Sequence, residues 1–70
     1  MTPQEALYYK IYAAKAMMHY DCYHAYMDYL EMADEKLNPQ ERGTVQNSIK
    51  RHRLTTLKFI QLCNDIYKKE

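Results

Sequence analysis

The chain has 70 residues, 47% of them apolar by type, with a formal net charge of +1, one glycine and two prolines. That length allows one domain at most, with a small core that usually needs a disulfide, a metal or a second copy to support it. The near-neutral charge gives no whole-molecule preference for nucleic acid or membrane, and so little turn material argues against a sheet protein and for long helices.

Thr2-Pro3-Gln4-Glu5 reads as a helix start. The threonine hydroxyl can accept from the backbone N–H three residues on, the glutamate can reach back to the cap, and proline suits the first helical position. No stop follows before Leu37, so the first helix is expected over residues 3–37. Its stretch from Tyr8 to Leu30 holds seven of the eight tyrosines. Tyr12, Ala16, His19, Tyr23, Tyr26, Leu30, Ala33 and Leu37 recur at spacings of three and four, which makes one stripe. The polar face is confined to Lys10, Asp21, His24, Asp28, Glu31 and Glu35. The apolar remainder spans roughly 200°, more than one partner helix can cover.

Asn38-Pro39-Gln40-Glu41 repeats the capping chemistry and should end the first helix, because proline disfavours helical geometry in the residue before it. The similarity to Thr2–Glu5 is read as two caps, since the segments beyond do not align and no tetratricopeptide signature is present. Gly43-Thr44 leaves two starts open for the second helix, Pro39 or Thr44, because glycine costs about 1 kcal/mol in a helix interior. The working boundaries are a turn over residues 38–44 and a helix over residues 45–68. Val45, Ile49, His52, Thr56, Phe59, Ile60, Cys63, Ile66 and Tyr67 share its apolar face, and Lys68-Lys69-Glu70 form a solvated end.

Two long helices and a short connection predict an all-α fold, a single antiparallel two-helix hairpin over residues 1–70. Facing residue numbers should sum to about 76 with the turn near Asn38. That sets Ala16 against Ile60, His19 near Thr56 and Leu57, Tyr23 near Arg53, Leu30 near Val45 and Cys22 near Leu54. Cys22 and Cys63 would then lie on the order of 13 Å apart, too far for a disulfide. Two reduced cysteines, and an N-terminus without a basic region followed by an apolar run, point to a cytoplasmic protein. No apolar run approaches the ~20 residues of a membrane span. Residues 1–37 carry three lysines against six carboxylates, and residues 38–70 carry seven basic groups against three acidic ones. Such complementary halves favour folding back or pairing. The surplus apolar arc predicts completion as a four-helix homodimer.

No catalytic signature is present: there is no nucleophile beside a base, no glycine-rich phosphate loop and no paired carboxylate in an apolar setting. No cofactor is expected. His19, Cys22, His24 and Asp28 resemble a metal set in type, but a helix points them in different directions, and His19 is read as paired with a hydroxyl inside. The dense basic run Lys50-Arg51-His52-Arg53, with Lys58, supplies the candidate nucleic-acid contacts Lys50, Arg51, Arg53 and Lys58. A four-helix dimer of hairpins also resembles the plasmid RNA-binding Rop family, in architecture and without a shared motif. Tyrosine and methionine are enriched at protein interfaces, and tyrosine hydroxyls need water or a partner. Tyr9, Tyr20, Tyr26, Met27 and Tyr29 are therefore the candidate partner-binding residues. The expected function is a small non-enzymatic homodimer that regulates or inhibits a larger protein by masking a surface. An RNA- or DNA-binding helical dimer and a structural subunit of an assembly are the alternatives.

Overall fold

The computed structural model describes residues 1–68, and the end expected at Lys69 and Glu70 lies outside them. Two helices, α1 (Pro3–Ala33) and α2 (Pro39–Lys68), run antiparallel as a rod of 51 × 13 × 13 Å. A single 3-10 turn, Asp34–Lys36, joins them. The all-α hairpin read from the sequence is the observed fold.

The expected capping is complete at the start of α1 and half made at α2, where the Asn38 side chain caps but the Glu41 side chain does not reach back. At α1, Thr2 Oγ1 accepts from the Glu5 N–H at 3.1 Å and the Thr2 N–H donates to Glu5 Oε1 at 3.0 Å. At α2, Asn38 Oδ1 accepts from the Glu41 N–H at 2.8 Å, with Pro39 at the first helical position. This cap settles the start of α2 at Pro39, earlier than the working boundary near residue 45. Gly43 sits within the helix with a φ that is not positive. Four residues of good cap and first turn outweigh one glycine.

α1 stops short of the expected Leu37. The chain tightens into 3-10 geometry at Asp34, and Leu37 turns extended ahead of Asn38-Pro39. The carbonyls at a helix end need donors. Arg42 supplies one from the first turns of α2, donating from Nη2 to the Asp34 carbonyl at 2.8 Å while its Nε lies 2.8 Å from Asp34 Oδ1. Both side chains are more than a third exposed, so the pair fixes the bend more than it stabilises the fold.

The seam is thin. Only Ala16, Thr56 and Cys63 are buried among the described residues. All three are small, which lets the helix backbones approach closely. Thr56 Oγ1 donates to the His52 carbonyl at 2.8 Å, and the Cys63 thiol donates across the seam to the Tyr9 carbonyl at 3.6 Å. His19 faces His52, Tyr12 faces Phe59 and Tyr26 faces His52, so facing residue numbers sum to between 71 and 78, against the expected value of about 76.

Candidate functional site

The two sides of the seam differ. On one side runs an aromatic column. Tyr8 stacks on Tyr12, Tyr12 on Phe59, Phe59 on His19, and Tyr26 on His52, with ring centroids 5.5–6.1 Å apart. Lys15 Nζ lies 5.5 Å over the Phe59 ring. At its centre the half-buried His19 and His52 share one hydrogen bond, Nδ1 to Nδ1 at 2.9 Å. One ring must donate and the other accept, so at least one is neutral. The sequence reading gave His19 a hydroxyl partner; the rings pair instead because both lie in the facing stripes at one height. The register and the two stripes together could have found this pair.

On the other side lies an open apolar groove between the helices. Its first stretch is lined by Tyr9, Ala13, Met17, Tyr20, Ile60 and Cys63. Tyr20 and Ile60 continue it into a stretch with Tyr23, Arg53 and Leu57. Tyr23 leads on to Met27, Leu30, Glu31 and Ile49. Ala16 and Ile60, and Tyr23 and Arg53, line this groove together as the register set them.

A third apolar surface is the back of α1, turned away from α2. Leu7, Ile11, Met18 and Tyr29 recur there at helical spacing, and all four are exposed. Cys22, Ala25, Tyr26 and Tyr29 form a shallow hollow on it. Met32 is 86% exposed beside the same surface.

The five candidate partner-binding residues therefore do not form one patch. Tyr9, Tyr20 and Met27 line the groove. Tyr29 lies on the back of α1, and Tyr26 bridges the back surface and the aromatic column. Met17, Leu57 and Ile60 belong to the groove and Met18 to the back, and sequence reasoning did not count them among the partner-binding residues. Exposure of a large apolar group was the missing signal, and it follows only from where α2 sits.

Lys50, Arg51, Arg53 and Lys58 are all exposed, and none makes an ion pair within the described chain. Arg53 alone touches the groove. Cys22 and Cys63 are free thiols. Burial pushes the Cys63 thiol above its usual range, so it stays protonated and inert. Among the described residues no three His, Cys, Asp or Glu side chains gather around a common point. No described helix is long and apolar enough to cross a membrane.

The chain matches no family model, no curated protein and no solved structure. Its functional reading therefore rests on these surfaces.

Proposed function

We propose that the protein is a small, non-enzymatic, cytoplasmic binding protein that works as a homodimer and regulates or inhibits a larger protein by covering part of its surface. One observation carries the reading: among the described residues fifteen large apolar side chains are exposed, and most belong to α1. Soluble monomers rarely leave contiguous apolar patches beyond a few hundred Å² uncovered. The hairpin presents two apolar surfaces, the groove and the back of α1, and a single two-fold contact through one leaves the other open. Tyrosine and methionine suit that role, since tyrosine gives rigid contact area with a polar rim and methionine adapts to an irregular partner.

The test is affinity capture from the native host with mass spectrometry, using the wild type beside a Met18→Asp/Tyr29→Asp variant. A larger protein retained by the wild type and lost by the variant supports the reading. Capture that is the same with both, or absent with both, rejects it.

The exposure of Lys50, Arg51, Arg53 and Lys58 together favours a second reading, an RNA- or DNA-binding helical dimer. Duplex RNA titrated at two salt concentrations tests it. Phosphate contacts release counterions, so genuine affinity must fall steeply as salt rises.

A further inference from the structure

The rod exposes more surface than a compact protein of its mass. Its accessible area is 5663 Å², whereas a folded monomer of this size exposes about 4,700 Å². The excess, about 1,000 Å², is close to the ~800 Å² that each partner contributes to a stable interface. The groove is where α1 and α2 both present apolar groups to the same side, with Tyr9, Met17, Tyr20, Leu57 and Ile60 open to solvent or half so.

The two edges of that groove carry opposite charge. On α1, Lys10, Met17, Asp21 and Asp28 share one stripe, and Glu31 lines the groove beyond Tyr23, so this edge is net acidic. On α2, Lys50, Arg53 and Leu57 share one stripe, and Arg53 and Leu57 line the groove. Asp21, Asp28, Lys50 and Arg53 are exposed and make no ion pair within the described chain. The hairpin register puts Asp21 at the height of Arg53, and Asp28 at the height of Lys50, on opposite edges.

Two copies can close groove on groove with two-fold symmetry in two ways. An axis across the helices lays α1 on α1 and α2 on α2, so that acidic edge meets acidic edge and basic meets basic. An axis along the helices lays each α1 on the α2 of the other copy. Height is then conserved, so Asp21 meets Arg53 of the second copy and Asp28 meets its Lys50, and each match occurs twice. Like charges brought together are penalised and opposite ones steer association. Every neighbouring helix pair is antiparallel in both arrangements, so the charge on the two edges is what separates them.

We propose that the groove is the self-association surface, occupied by a second copy related by a two-fold axis along the helices, with the acidic edge of α1 on the basic edge of the other α2. This rests on the reading that the apolar surface is an interface, and it assigns the two faces separate tasks. The groove closes the dimer, and the back of α1, with Met18 and Tyr29, remains for the larger protein.

The experiment is sedimentation across a hundredfold dilution at low salt, for the wild type, Asp21→Arg, Arg53→Asp and the double exchange, each checked for helicity by circular dichroism. The wild type should be a dimer. Each single reversal should weaken self-association at least tenfold, and the double exchange should recover it. A monomeric wild type, a double exchange as weak as the singles, or single reversals without effect would each overturn the proposal. Tighter association of Asp21→Arg would do so too, by pointing to α1 against α1. The captures separate the two readings. A monomer that still retains a larger protein through Met18 and Tyr29 defeats the homodimer and leaves the regulatory function standing. A dimer that retains nothing defeats only the regulatory function.

Discussion

Replacing Gly43 by alanine adds one methyl group inside α2, four residues beyond Pro39. An added Cβ meets nothing within 4 Å, so no neighbour has to move. The backbone there needs no positive φ, so alanine adopts it without strain. Two favourable effects remain. Alanine is better than glycine in a helix interior by about 0.8–1 kcal/mol, and it also restricts the unfolded chain. The position is close to the helix N-terminus, where some of that advantage is lost to fraying. A gain of about 0.5–1 kcal/mol is therefore expected, which raises Tm by about 2–8 °C in a domain of this size. The assay is urea and thermal unfolding followed by circular dichroism at one fixed protein concentration, because dimerisation would otherwise shift the midpoint. A loss of stability would refute the reasoning. It would mean that Gly43 sits in a turn and that α2 begins at Thr44.

Further outcomes test the rest of the fold. Asn38→Ala removes the oxygen that accepts from the Glu41 N–H and should cost about 1 kcal/mol in the same unfolding assay, whereas Pro39→Ala should change little. Ala16→Leu forces a larger side chain into the buried seam and should destabilise by about 1–3 kcal/mol, measured by urea unfolding. In the native state a thiol reagent should modify the half-buried Cys22 first and Cys63 only on unfolding, read by mass mapping; Cys63 reacting first would reject the placement of the seam. The raised pKa of Cys63 makes the folded state prefer the neutral thiol, so its contribution is intact at neutral pH and is lost as pH rises through the thiol range. Alkaline unfolding should therefore be shallower in Cys63→Ala than in the wild type.

Much of the architecture is local and was readable from the residues. Thr2 and Asn38, each followed by proline and a glutamate, mark both helix starts, because capping is a contact between residues three apart. The apolar arc of α1 announced a helix too wide for one partner, because the 3.6-residue period fixes which side chains share a face of their own helix. The antiparallel register followed from the short connection. Those signals concern one helix, or one link between two.

What they leave open is how far each helix is rotated about its axis against the other. That angle shows in which small residues are buried, Ala16 on one helix and Thr56 and Cys63 on the other, and it is a property of the packed pair. It decides that Tyr9, Tyr20 and Met27 open onto a groove while Tyr29 faces the opposite way, although all four were equally aromatic or apolar in the sequence. It also brings His19 to His52, and it opens Arg53 onto the groove. Even the start of α2 was a contest the sequence could not judge. The cap at Asn38 and the Arg42 clamp on Asp34 act together across the bend, and they carry Gly43 into the helix against its own preference.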